Sequence, residues 1–229
     1  MHLTDEFKLR QAIAVCPACN AQFDTPYLLN VPAITSRTAL ETDLHRVLPD
    51  PAIRAALIGL CLDCGYGNWI SHFEIKMLEA ECFAVSDSIE YPRKFANAFI
   101  TARSAGASHV ELALIALNGG WCSREADLPY QRWLDLAAQE LDKALFDKSW
   151  GGDRGYYHYL MAEICRQLSD FTTAVRHFNK ATLSSRLPKQ LITRQKVQAI
   201  AADPSHTLLP PHLVERLFCP KRPLRLPAI

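Results

Sequence analysis

The sequence predicts an α+β protein: a small four-cysteine ribbon over residues 1–75, an all-α helical repeat region over 76–203, and a proline-rich basic tail over 204–229. Three observations predict it. Two Cys-x-x-Cys pairs, Cys16-Pro17-Ala18-Cys19 and Cys61-Leu62-Asp63-Cys64, fall in the first third of the chain. Alternation of polar and apolar residues before the first pair gives way, after about residue 72, to apolar spacings of three and four. The triplet Ala137, Leu141, Ala144 recurs 37 residues later as Ala174, Phe178, Ala181.

The 229 residues are 49% hydrophobic, ample for a buried core, so a disordered chain is excluded. No run of about 18 apolar residues occurs, and Met1-His2-Leu3-Thr4-Asp5-Glu6-Phe7 lacks the basic-then-apolar order of a signal peptide. A cytoplasmic protein with no membrane association is expected. The net charge of +1 conceals a gradient: residues 1–80 carry 6 Lys/Arg against 9 Asp/Glu, 81–149 carry 7 against 10, and 150–229 carry 12 against 5. That basic final third could contact an acidic partner or nucleic acid, or simply form a solvated face.

Residues 6–15 alternate and read as a strand delivering the first cysteine pair. Asn20 follows that pair at the point where a metal knuckle calls for a residue tolerant of positive φ. A second strand is predicted around Tyr27 to Ile34, then a polar loop over 36–46. Asp50-Pro51 starts a short helical turn, and the apolar run Ala56 to Leu60 carries the second knuckle, with Tyr66 and Trp69 supplying apolar area beside it. From His72 to Ala80 the spacing of Phe73, Met77 and Ala80 predicts a helix. Pro92 opens another, with Phe95, Phe99 and Ala102 on one face and Gly106 at its C-cap. Ser108 with Glu111 forms a capping box for a third.

Counting back from the two triplets puts Trp121 and Ala162 where a tetratricopeptide repeat has its first-helix Trp and its small residue. The clearer unit runs from about 155 to 188, with Ser169-Asp170 turning the chain and capping the next helix. A further helix is expected from Lys189 to Ala202, and one helical turn from His212 to Phe218. Six prolines after Asp203 keep the remainder extended. Within it Arg222, Leu224, Arg225, Leu226 and Ile229 form a candidate docking peptide for a protein partner.

Two residues between paired cysteines let both sulfurs face one metal, so Cys16, Cys19, Cys61 and Cys64 are the expected ligands of one structural Zn²⁺, with iron the alternative. Four thiolates close the coordination sphere and leave no position for substrate. Cys82, Cys122, Cys165 and Cys219 are scattered singly, and in the helical patterns of Cys122 and Cys165 a thiol is ordinarily a small buried hydrophobe. Between the pairs, Arg37, Glu41, Asp43 and His45 put carboxylates and an imidazole within a few residues of one another. With Arg37 and Arg46 nearby an ion-pair network is the default there, with acid–base chemistry or a second metal the alternatives. No nucleophile motif, nucleotide loop or HExxH pattern appears, so no enzyme and no small-molecule substrate are expected.

Cys16-Pro17-Ala18-Cys19, the segment from Arg37 through Glu41-Thr42-Asp43-Leu44-His45, and Cys61-Leu62-Asp63-Cys64-Gly65-Tyr66-Gly67 ahead of the Ala/Phe helical register resemble a bacterial family, domain of unknown function 2225. The resemblance spans roughly residues 10–185, with Asn20 in place of the more usual Gly. It implies a zinc-containing, helical-repeat protein and nothing catalytic. The function expected is a non-enzymatic adaptor or scaffold that binds a protein through its helical surface or tail. The alternatives are nucleic-acid binding by the basic third and a redox switch at the cysteines.

Overall fold

A computed structural model describes residues 7–32, 34, 35, 37–81, 90–147 and 151–218. The chain forms two compact units: Met1–Ala33 with Leu48–Trp133, and Ile34–Val47 with Leu134–Ala228. The first unit runs on to Trp133, and residues 34–47, between the cysteine pairs, belong with the second.

In the first unit, β1 (Lys8–Val15) is the centre of an antiparallel sheet ordered β2-β1-β5, with β2 spanning Gln22–Asn30 and β5 Glu74–Glu81. Alternation along β1 buries Ala12 and Ala14, and the same parity carries on to bury Cys16. The second strand begins earlier than the sequence suggested and contains Pro26. A proline missing its N–H is tolerated there because β2 is an edge strand.

The helix expected over 72–80 is instead β5, paired to β1 with Ala14 opposite Ile75 and Ala12 opposite Met77. Ile75 and Met77 also alternate with Glu74 and Lys76, so both periods were present in the sequence. The open edge of β1 decides between them, overriding the helix propensity of Glu, Lys, Met and Leu.

A second, two-stranded sheet pairs β3 (Ile58–Leu60) with β4 (Gly67–Trp69). It follows α1 (Pro51–Ala55), whose first turn is capped by the Asp50 carboxylate accepting from Ala52 N–H. Helix α2 (Glu90–Ser104) lies on β4, burying Phe95, Phe99 and Ala102 as its spacing predicts, and Ala98 with them. The approach is close: a Cβ on Gly67 would come 2.8 Å from the Ala98 backbone nitrogen. Gly106, at φ +76, closes the helix. Helix α3 (His109–Glu125) starts on the Ser108 cap, whose oxygen accepts from Glu111 N–H.

Arg54 of α1 is fully buried in this unit. Its guanidinium donates to both Glu125 oxygens at 2.9 Å and to Asn118 Oδ1 at 3.0 Å, and stands over the Trp121 ring at 5.3 Å. Glu125 also accepts the Leu48 N–H, at the point where the chain re-enters the unit. Trp121 and Cys122 are buried, the latter as a small thiol in an apolar helical pattern should be.

In the second unit, α5 (Arg154–Gln167) and α6 (Phe171–Ala181) form an antiparallel hairpin. Ser169 takes a positive φ of 64 and Asp170 caps α6 through Thr173 N–H. Ala162, Ala174, Phe178 and Ala181 are fully buried, so the small residues do let the two helices close on each other. α4 (Gln131–Phe146) buries Ala137, Leu141 and Ala144. α7 (Lys189–Ile200) packs on α6, and α8 (Pro211–Leu217) ends the described chain. The boundary between the units falls within α4, between Trp133 and Leu134.

The segment 39–47 is a small hairpin that belongs to this second unit. Leu40 bridges Arg46, Leu44 turns at φ 64, and Glu41 pairs with Leu208. Backbone bonds Thr42 N–H to Thr207 O (3.0 Å) and Leu209 N–H to Leu40 O (2.7 Å) seat it against 207–209. From α5, the fully buried Arg166 reaches across. It donates to Glu163 at 2.7 Å, to the carbonyls of Asp203 (2.7 Å) and Ser205 (2.6 Å), and to Thr42 Oγ1 at 3.4 Å. The Tyr159 hydroxyl donates to Thr42 O.

Replacing Arg54 by Ala leaves Glu125 buried without its cation and is expected to cost about 3–5 kcal/mol in urea unfolding. The paired change Arg54→Met with Glu125→Leu should cost clearly less than either single removal.

His158 and His177 face each other across the α5–α6 hairpin, Nδ1 to Nδ1 at 3.0 Å. Burial, then the partner imidazole and nearby Lys180 and Arg154, push His158 down from 6.5 to about 4; burial and Lys180 lower His177 also. An imidazole depressed in the fold takes up its proton more readily when unfolded. Stability from this pair is therefore complete above about pH 6.5 and lost as pH falls toward about 4. A His158→Gln/His177→Gln variant should show a flatter thermal midpoint across that window.

Candidate metal centre

The two cysteine knuckles are built alike. In the first, Cys16 N–H donates to Ala21 O and Asn20 N–H to Cys16 O, both at 2.9 Å; in the second, Cys61 N–H donates to Tyr66 O and Gly65 N–H to Cys61 O, again at 2.9 Å. The corresponding turn residues take positive φ, 60 at Asn20 and 75 at Gly65. Asn supplies the left-handed conformation that Gly gives more cheaply, so its appearance in place of Gly leaves the knuckle intact.

Each knuckle is held by its flanks. β1 ends in the first and β3 in the second. α2 steadies the second, with Asn97 Nδ2 reaching Gly65 O at 3.4 Å and Thr101 Oγ1 accepting the Gly67 N–H at 3.2 Å. Phe73 packs edge-on against Phe23, just after the first knuckle, and Tyr66, just after the second, at 5.7 and 5.6 Å. Gly59 makes room for that ring, since a Cβ there would come 2.6 Å from it.

The four sulfurs converge within 4.8 Å of one another, with Cys16 Sγ to Cys64 Sγ and Cys19 Sγ to Cys61 Sγ each 3.7 Å apart. A tetrahedron with metal–sulfur bonds of about 2.3 Å has edges of about 3.8 Å. The group can therefore hold a metal ion with little rearrangement. Cys16 and Cys61 are buried while Cys19 and Cys64 are exposed, so the centre has an inner and an outer side.

Its electrostatics point the same way. Burial opposes ionisation of Cys16, but the N–H groups of Ala18 and Cys19 outweigh it and hold that thiol below its ordinary value. The Ala21 N–H favours the Cys19 thiolate, yet the neighbouring sulfurs of Cys64, Cys61 and Cys16 prevail and push it up to about 12. The Tyr66 N–H likewise favours the Cys64 thiolate, but burial and the sulfurs of Cys16 and Cys61 leave it raised. Four thiolates at this spacing need a cation among them to ionise together.

Of the loop residues, Glu41, Asp43 and His45 are brought together in the second unit, and Arg37 is exposed on the segment leading into their hairpin. His45 Nδ1 lies 2.7 Å from Glu41 Oε2, and the His45 N–H donates to Asp43 Oδ1 at 3.1 Å. Two contributors were missed from sequence: Gln167, donating to Asp43 Oδ2 at 3.1 Å, and His206, 3.7 Å from Glu41 Oε1. No local signal ties either to the loop. The tail residues Arg222, Leu224, Arg225, Leu226 and Ile229 lie outside the described residues. Among the described residues no helix is long and apolar enough to cross a membrane.

Neither protein-family models, nor curated proteins, nor solved structures provide a match to this chain.

Since Asn20 already occupies a left-handed turn, Asn20→Gly should leave metal affinity and thermal midpoint unchanged or slightly higher. Asn20→Val, by contrast, should lower stability by about 1–2 kcal/mol and weaken metal retention in a competitive chelator titration.

Proposed function

We propose that this is a non-enzymatic, cytoplasmic adaptor whose four-cysteine centre binds structural zinc and whose helical unit, with the tail, recruits a protein partner. The observation that carries the metal half of this reading is the convergence of four sulfurs at the edge length of a zinc–thiolate tetrahedron. Zinc is preferred to iron because it accepts that geometry without a redox demand. With four protein ligands the sphere is closed, and the ion acts by joining two knuckles that are far apart in sequence.

For the partner half, the support is a helical unit with apolar side chains left on its surface. Val197 and Ile200, one turn apart on α7, are 59% and 66% exposed, and Leu183 beyond α6 is 81% exposed. The α5–α6 hairpin carries the small-residue register of a tetratricopeptide unit, a fold that presents helix faces to peptides. The resemblance to domain of unknown function 2225 agrees with a zinc-and-helix scaffold and adds no activity.

Metal analysis of the purified full chain should give zinc in the four-cysteine centre, lost in Cys16→Ser/Cys61→Ser. Affinity capture from the native cell should recover a partner, with recovery abolished either by ending the chain at residue 218 or by Val197→Glu/Ile200→Glu. If neither change affects any recovered protein while the fold is retained, the adaptor reading falls.

A further inference from the structure

Apart from the thiolate centre, two carboxylates and two imidazoles from separate stretches of chain meet at the 39–47 hairpin. Glu41 stands between the imidazoles: Oε2 is 2.7 Å from His45 Nδ1 and Oε1 is 3.7 Å from His206 Nε2. Ligating atoms of Glu41, Asp43 and His45 all lie within 4.8 Å of one another. An ion bound at about 2.0–2.2 Å to nitrogen and oxygen joins donors roughly 2.8–4.4 Å apart. The spacings here bracket that window.

We propose that Glu41, His45 and His206, supported by Asp43, form a second metal site, selective for a divalent transition-metal ion with nitrogen and oxygen ligands and independent of the four cysteines. Two imidazoles and a carboxylate are a donor set suited to such ions, whereas calcium and magnesium take oxygen alone. Glu41 and Asp43 supply two negative charges toward a dication; the fixed cations described nearby are the buried Arg46 of the same hairpin and Arg166, the latter engaged by Glu163 and two backbone carbonyls.

The donors are also held in advance of binding. The bonds joining Thr42 to Thr207 and Leu40 to Leu209 fix the hairpin bearing Glu41 and His45 against the segment bearing His206. Asp43 is oriented at one oxygen by the His45 N–H and at the other by Gln167. Asp43 and His45 are buried beneath; Glu41 and His206, at 13% and 33% exposure, provide the way in. In contrast to the closed thiolate centre, three or four donors of this kind leave coordination positions to water. Without an ion the same atoms are joined by hydrogen bonds alone, and that is the outcome the experiment must separate.

The full-length chain, its four cysteines first loaded with one equivalent of Zn²⁺, is titrated with Co²⁺ as a spectroscopic probe. The expected result is one further equivalent bound, with weak visible bands and no sulfur-to-cobalt charge transfer. His206→Ala should weaken that binding by at least about tenfold, and Glu41→Gln by more, with zinc content and thermal midpoint of the His206 variant unchanged. Saturation at a single metal per chain, a second equivalent with sulfur charge transfer, or an affinity unmoved by His206→Ala would overturn the proposal. Should Glu41→Gln fail to fold, the partly exposed His206 decides the question alone.

Discussion

The convergence of four cysteine sulfurs on one point is the constraint around which the first unit is arranged. Two knuckles separated by more than forty residues are brought to 3.7 Å contacts, a spacing at which the neighbouring sulfurs push the Cys19 thiol up to about 12. Everything around them serves to hold that spacing: the parity of β1, the β3–β4 ribbon, the glycine at 67 that admits α2, and the Phe73 ring wedged between the residues that follow each pair. Four sulfurs so placed could hold one metal ion, and an ion bound there would tie the two knuckles to each other.

Away from the sulfurs, each unit is pinned by a fully buried arginine. Arg54 ties α1 to α3 through Glu125 and Asn118; Arg166 ties α5 to the inserted hairpin and to residues 203–205. Neither pair is a cheap source of stability, because the desolvation of the ions offsets much of their attraction. What such groups supply is direction. A guanidinium whose donors are nearly all taken accepts few alternative packings, and in both units it meets polar atoms distant in sequence.

Where chemistry is local, the sequence was readable. The knuckles, the left-handed Asn20, the Ser108 and Asp170 caps, and the Gly106 stop are each determined within four or five residues, and the structure has them. The buried faces of α2 and of the α5–α6 hairpin followed from spacing alone. What eluded it was decided at a distance. Residues 74–81 became a strand because β1 had an edge to fill, and Arg54, an unremarkable basic residue in sequence, found Glu125 only through the fold. Glu41, Asp43 and His45 were visible as a cluster, but the histidine and glutamine that complete it come from the far end of the chain.

The excursion of residues 34–47 into the second unit has a consequence for how the chain is made. A ribosome delivers this hairpin long before α5 and residues 203–209 exist, so it emerges with its partner strand and its buried arginine still untranslated. The first unit, interrupted by it, can close as soon as α3 arrives. The second cannot close until nearly the whole chain is out. No contiguous fragment holds all of either unit without carrying part of the other, and a single cut after residue 133 would leave the first unit's segments together with a stray hairpin while depriving the second unit of residues 34–47.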